Sequence, residues 1–272
     1  MRCTDRDTKF KNKNNMIDKY LMKTSDELET MRTLGKILAN IMNELENLIK
    51  PDTNAWTVEQ KFIDLCRKND VIPACKGYPD EHGNLFPYGL CLGINNEAVH
   101  CFPAKEKIFK DGDIVKIDTV IGRDGLYVDH AKTFGIGNVS SLRQKLINTT
   151  RLALQSAIKV TRAGAYTGDL GNAIQTIAEL AGFNVLRKYS GHGIGRHLHE
   201  PPNIYCYGEK NTGERLVAGM TLAIEPLISV GDYEVVSRGK YWQTEMKDGS
   251  DFAQFEHTIL VTKQGVEILT QI

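Results

Sequence analysis

The chain has 272 residues, enough for a substantial core, and its 34 Lys+Arg balance 34 Asp+Glu to a net charge of zero. That balance argues against a nucleic-acid or membrane-surface protein held by bulk electrostatics, and 41% hydrophobic with 25% charged residues is the composition of a soluble globular protein. Six cysteines without a CxxC pair argue against a disulfide framework and fit a reducing compartment; with no apolar run of the ~18 residues a membrane helix needs, a cytoplasmic location is expected.

Residues 1–23 are polar and aperiodic and read as a flexible arm, followed by one domain over 24–272. The basic run "KFKNKNN" in the arm reads as a solvated segment, with ribosome proximity as the alternative. Thr24 and Glu27 form a capping-box pattern ahead of Leu28, Met31, Leu34, Leu38, Ile41, Leu45 and Leu48, which predicts a long helix to about Lys50. "TVEQKFIDLCRKN" predicts a second helix with Val58, Phe62 and Leu65 inward. From Val71 to Ala104 the Gly, Pro, Asn and Tyr content predicts short strands and loops.

"VKIDTVIGRDGLYVDHAK" follows and reads as a β-hairpin with one acid on each arm. A turn centred between Arg123 and Asp124 sets Asp118 opposite Asp129, and a turn on Asp124-Gly125 makes them diagonal neighbours. In either register two like charges share one face, which destabilises a sheet unless something lies between them.

The pattern then restarts. Residues 141–162 predict another long helix, and "GDLGNAIQTIAELAG" a shorter one closed by Gly182. Val58, Phe62 and Leu65 recur at one constant offset as Leu170, Ile174 and Ile177. Strands are predicted at "TLAIEPLISV", around residues 240–244 and at "QFEHTILVT". Two rounds of helix, helix and strands predict an α+β fold of two related halves around a shared sheet, with helices on one side and a natural ligand site between the halves.

Three further features join the aspartates. "SGHGIGRHLHEPP" sets His192 among glycines with His199 further on, "AIEP" places Glu225 at a strand end, and "QFEHTI" places Glu256 within an apolar strand on the face opposite Phe255 and Ile259. Taken singly, each has an ordinary explanation as a solvated acid or a structural histidine. Together, four carboxylates and one imidazole can neutralise two divalent cations, and this oxygen-rich set with one histidine favours Mn, Fe, Co or Zn over a thiolate site. Two such ions hold and acidify a water, which supplies a hydrolytic nucleophile.

The segments "KDGDIVKIDT", "YVDHAKTF", "GHGIGRHLHEPP", "AGMTLAIEPL" and "FEHTILVT" occur in the order found in the shorter, type I methionine aminopeptidases, which the chain resembles over about residues 24–270. The resemblance implies the pita-bread fold: two pseudo-symmetric halves with helices packed on a curved, mainly antiparallel sheet. It implies a catalytic domain that removes the initiator methionine from nascent polypeptides with a small second residue, through a water or hydroxide bridging two divalent ions (Co, Mn, Fe or Zn). Asp129 and Glu256 would bridge the ions, Asp118 would complete one site, and His192 with Glu225 the other. His100 would hydrogen-bond the scissile amide, His199 would stabilise the oxygen of the tetrahedral intermediate, and Glu225 would also take the proton of the water. His197 matches no functional position and is expected at the surface.

The resemblance further implies a methionine pocket of Cys75, Tyr78, Phe86, Cys91, Leu198 and Trp242, whose apolar and sulfur-bearing walls suit a thioether. Phe86 stands where the family commonly has tyrosine, and Leu198 where a larger aromatic is common. Extra residues between Tyr78 and Phe86 (Pro79, Asp80, Glu81, Gly83, Asn84) have the content of an exposed turn and are expected at the rim of that pocket. A monomer is expected, with no sequence-specific nucleic acid and no membrane as partner. Prolidases and X-Pro aminopeptidases share the five ligands but usually add a large N-terminal domain, and a non-catalytic pita-bread binding protein should have broken ligands; here all five are intact.

Overall fold

Thr24 caps the first helix through both halves of a capping box: its hydroxyl accepts from the Glu27 amide while the Glu27 carboxylate accepts from the Thr24 amide. The structure, a computed structural model, describes residues 21–80, 82–239 and 242–272. Helix α1 runs Ser25–Glu46 and buries Met31, Leu34, Leu38, Ile41 and Leu45. It ends short of Lys50 because Leu48 and Ile49 donate to Leu45 and Glu46, three residues back, which tightens the chain into a turn. Helix α2 (Ala55–Lys68), capped by Asn54, buries Val58, Phe62 and Leu65. In the second half, α3 spans Ser141–Val160 and α4 spans Thr167–Leu180. Leu170 and Ile174 of α4 are buried, but Ile177 is only partly so and Ala178 takes the inward place.

The short strands β1 (Ile72–Pro73) and β2 (Cys91–Ile94) precede the hairpin, which ten-residue strands β3 (Ile114–Arg123) and β4 (Leu126–Gly135) form with Arg123 opposite Leu126. The turn residues Asp124 and Gly125 have φ of 54° and 74°, the two positive values of a type I′ turn. Asp118 therefore pairs with Ala131 and Asp129 with Val120, so the two acids are diagonal neighbours on one face.

The second half adds β5 (Asn184–Val185), β6 (Ser190–Gly193), β7 (Glu200–Tyr205) and β8 (Thr221–Ile224). "TLAIEPLISV" divides at Glu225-Pro226 into β8 and β9 (Leu227–Ser229). The strand expected around residues 240–244 lies instead at β11 (Thr244–Met246), paired with β10 (Val235–Ser237). Trp242, with φ of 61°, is in the left-handed region and cannot extend a strand, and Lys240 and Tyr241 fall outside the described residues. "QFEHTILVT" divides at Phe255 into β12 (Phe252–Gln254) and β13 (Glu256–Val261), and β14 (Val266–Ile268) follows.

The hairpin belongs to a nine-stranded sheet in the order β1-β3-β4-β13-β8-β6-β7, with β14 against β13 and β2 against β3, every pairing antiparallel. The divided segments each send one piece into this large sheet and the other into a three-stranded sheet of order β12-β9-β5. Two apolar clusters lie against the helices. One joins Met31, Leu34 and Phe62 to Val115, Ile121 and Val128; the other joins Leu146, Leu154 and Ile174 to Leu222, Ile228 and Ile259. Each half thus has its own core under its own helix pair.

Of the expected arm, residues 1–20 lie outside the described residues. Residues 21–23 belong to the packed body: Leu21 and Lys23 are buried and Met22 bridges to Met220. Among the described residues no helix is long and apolar enough to cross a membrane.

Candidate metal centre and substrate pocket

Five consecutive strands of the large sheet position the expected ligands, four within a strand and Glu225 immediately past the end of β8. Asp118 on β3 and Glu256 on β13 both face Ala131 of β4, whose small side chain leaves room between them, and Asp129 lies two residues along β4 from Ala131. Ala223 of β8 pairs with Thr258 on one side and His192 of β6 on the other, and Glu225 follows two residues beyond it. Opposed residues and residues two apart share a face, so register alone gathers Asp118, Asp129, His192, Glu225 and Glu256 on one side of the sheet. His130 and His257, one residue out of step, pair on the opposite, helix-covered face.

The cluster is tight. His192 Nε2 lies 3.9 Å from both Asp129 Oδ2 and Glu225 Oε1, and Asp129, His192 and Glu256 each offer a ligand atom within 4.8 Å of the others. Gln254 Nε2 donates to Asp118 Oδ2 and Glu225 Oε2, both at 3.2 Å. Gln254 was not anticipated from sequence, although its place two residues before Glu256 on the "QFE" segment was a signal for the same site. A side chain at Gly193 would run into the Pro201 carbonyl, so glycine is needed where β6 brings His192 in beside β7.

The electrostatics call for a cation. Burial pushes Asp118 up to about 6; burial first, and neighbouring carboxylates second, raise Asp129 and Glu256, and burial with the Asp118 charge raises Glu225. Asp129 Oδ1 and Glu256 Oε1 are buried without a hydrogen-bond partner among the described residues. Burial lowers His192 to about 3, so the imidazole is neutral and able to ligate, and its Nδ1 contacts the Gly193 carbonyl at 2.8 Å. A carbonyl only accepts, which puts the ring proton on Nδ1 and leaves Nε2 bare towards the carboxylates. Orphaned oxygens, ionisable acids held together and a bare imidazole nitrogen fit divalent metal ions.

The ligands open onto a cavity of about 590 Å³ that His100, His199 and Trp242 also line. His100, with φ of 58° and a pKa lowered by burial to about 4, packs its ring edge-on to Trp242 and Tyr189. A small adjoining cavity of about 60 Å³ is lined by Cys75, Tyr78, Phe86, Cys91, Leu198 and Trp242. Val120, two residues beyond Asp118 on the same face, joins them and was not anticipated. Phe86 stacks edge-on to Trp242 and Phe102, and the Cys75 and Cys91 thiols are free.

The extra segment meets one wall of this cavity, at Trp242. Asp80 accepts from the His82 and Asn84 amides, and the Trp242 indole donates to the Asn84 carbonyl at 3.2 Å. His197 is exposed, as expected, and its amide donates to Glu200. Sequence reading also missed a buried ion pair, Lys23 Nζ to Glu200 Oε2 at 2.8 Å, which ties the segment before α1 to the residue after His199. Arg196 binds Glu27 on the same side.

Residues 29–263 match metallopeptidase family M24. A curated relative from Synechocystis sp., methionine aminopeptidase B, is 37% identical over 244 residues, 90% of this chain and 89% of its own length. The methionine aminopeptidase structure from Thermotoga maritima superposes with a TM-score of 0.89 at 44% identity, over 92% of this chain and 99% of that one. The chain belongs to the methionine aminopeptidases of family M24. As a member it is a metal-dependent aminopeptidase with the pita-bread fold, and its binding of divalent metal follows from the family. The prolidase from Pyrococcus furiosus, 20% identical with a TM-score of 0.74 over 95% of this chain and 68% of that one, shares the fold alone.

Proposed function

We propose that this aminopeptidase removes the initiator methionine from polypeptides with a small second residue, using two divalent ions (Co, Mn, Fe or Zn) held by Asp118, Asp129, His192, Glu225 and Glu256. The observation that carries this reading is the convergence of four carboxylates and one bare imidazole nitrogen beside a small cavity walled by cysteines and aromatics. Bound there, divalent ions would acidify a water and polarise the scissile carbonyl.

The chain's own groups do the rest. Cys75, Tyr78, Phe86, Cys91, Leu198 and Trp242 hold the methionine side chain and exclude water from it. His100 bonds the scissile amide, His199 donates to the oxygen of the reacting carbonyl, and Glu225 takes a proton on its carboxylate. Family relatives of the same name at high coverage support methionine as the residue removed. Proximity to the ribosome and action as a monomer remain part of this reading.

The test is release of free methionine from Met-Ala-Ser and Met-Val-Ser peptides after chelation and metal add-back, alongside metal analysis of Glu225→Gln. A chelated chain that is folded, inactive and restored by Mn, Co or Fe, with two ions per chain, is expected. Undiminished hydrolysis in chelator with metal shown to be absent would overturn it.

A further inference from the structure

We infer that Tyr78, besides walling the methionine cavity, is a positioning residue that sets the tautomer of His199. Its phenol O–H donates to His199 Nδ1 and so keeps the ring proton on Nε2. The inference rests on the reading above, in which His199 donates to the oxygen of the reacting carbonyl.

The phenol oxygen lies 2.7 Å from His199 Nδ1, with the rings edge-to-face at 5.1 Å and 71°. A hydrogen bond between a phenol and a neutral imidazole can run either way, and two observations choose the direction. The separation is typical of an O–H donor and short for an N–H donor. Among the described residues the phenol has no second acceptor, so accepting from Nδ1 would leave its own proton without a protein partner. Burial raises the Tyr78 pKa, so the phenol stays protonated at neutral pH and able to donate.

The consequence lies at the other nitrogen. His199 lines the cavity that holds the carboxylate cluster, its ring edge-on to His192 with centroids 4.4 Å apart, and no described residue bonds its Nε2. With Nδ1 occupied by the phenol, Nε2 carries a hydrogen and can serve as a donor in that cavity. The reverse tautomer would add a bare lone pair to a space already crowded with carboxylate oxygens. An ordinary histidine is mostly neutral at pH 7 to 8, so over that range the tautomer decides whether Nε2 can stabilise a developing negative charge.

Both partners are anchored. The Tyr78 amide donates to Cys75 and its carbonyl accepts from Phe86, closing the base of the extra segment, while Glu200, next to His199, is held by Lys23. The extra segment therefore departs from the residue that orients His199, which links its placement to the reacting carbonyl as well as to the methionine wall.

The test is Tyr78→Phe, which keeps the aromatic wall and removes one oxygen. Long-range proton–nitrogen NMR on histidine-labelled protein, metal-free and zinc-loaded, reads the tautomer directly, with the His199 signals assigned by their loss in His199→Ala. Wild type should show a bare Nδ1 and a protonated Nε2, and Tyr78→Phe a mixture of the two tautomers. Turnover of Met-Ala-Ser should fall roughly ten- to hundredfold, short of the loss from deleting a donor outright, with KM within about twofold and metal content unchanged. A wild-type ring protonated on Nδ1, or an unchanged tautomer in Tyr78→Phe, overturns the inference, and the wild-type spectrum decides it even if the variant does not fold. A wild-type chain that releases no methionine overturns the proposed function, while the nitrogen shifts still judge the tautomer.

Discussion

Replacing Lys23 with methionine removes one partner of an ion pair whose side chains are only 1% and 2% exposed, with 2.8 Å between Nζ and Oε2. At that separation the attraction is on the order of 6 kcal/mol for an effective dielectric of about 20, largely offset by the desolvation of both ions. The Lys23→Met variant would leave the Glu200 carboxylate buried without its counter-ion, and breaking a buried pair in this way costs about 3–5 kcal/mol. For a chain of this size each kcal/mol lowers Tm by about 2–4 °C, so a fall of roughly 6–20 °C is expected by thermal unfolding. Glu200 Oε1 also accepts from the His197 amide at 2.9 Å, which Gln can still do, so Lys23→Met with Glu200→Gln should recover at least half the loss. At 25 °C, with each variant folded, Lys23→Met should lower kcat for Met-Ala-Ser and leave metal content unchanged, because the pair holds the backbone beside His199 and, among the described residues, bonds to none of the five proposed ligands. A single variant as stable as wild type, or a double variant no more stable than the single, would refute the reasoning.

Burial raises all four carboxylates, Asp118 to about 6, and neighbouring carboxylate charge adds to the rise at Asp129, Glu225 and Glu256, while His192 at about 3 is already neutral, so the metal-free chain carries carboxyl protons at pH 6 that loading must displace. Zinc-binding calorimetry in buffers of differing ionisation enthalpy should therefore show proton release at pH 6 that shrinks towards pH 8, with affinity falling as acid is added; no release at pH 6 would contradict the ligand set. Removing residues 80–84 takes away the Asn84 carbonyl that accepts from the Trp242 indole and should change KM, or the tolerance of Met-Val against Met-Ala peptides, with metal content intact. Loss of metal without any effect on peptide binding would place the segment at the wrong cavity.

Features set by local chemistry were legible in the sequence. Thr24 and Glu27 announce the start of α1 because a capping box needs only residues three apart, and Asp124-Gly125 announces the hairpin because few pairs tolerate two positive φ values. Features set by distant partners were not legible. Lys23 reads as the end of a solvated arm, since nothing nearby reveals a carboxylate 177 positions away. Trp242 reads as strand because its aromatic side chain favours extended backbone, and its left-handed conformation belongs to the tertiary setting. Gln254 escaped notice because a lone glutamine has no distinguishing chemistry until two carboxylates are placed within its reach.

The seam between the two halves explains why so unfavourable a cluster can be held together. β4 and β13 share only two paired positions, Glu256 with Ala131 and His257 with His130. On either side a threonine hydroxyl completes the join. Thr258 accepts from the Asp129 amide and donates to the Asp129 carbonyl, and Thr133 does the same for Gln254. His130 Nδ1 adds a contact of 2.6 Å to the Glu256 carbonyl from the helix-covered face. The residues clamped at this seam are the two acids with orphaned oxygens, Asp129 and Glu256, and the amide that bridges Asp118 to Glu225. The first half supplies two carboxylates and the second supplies two carboxylates and the imidazole, so the full proposed ligand set exists only when the seam is closed. Repulsion among the acids opposes that closure in the metal-free chain, and a cation held by the proposed ligands would reverse its sign, which would make the metal a contributor to the join between the halves as well as to the chemistry.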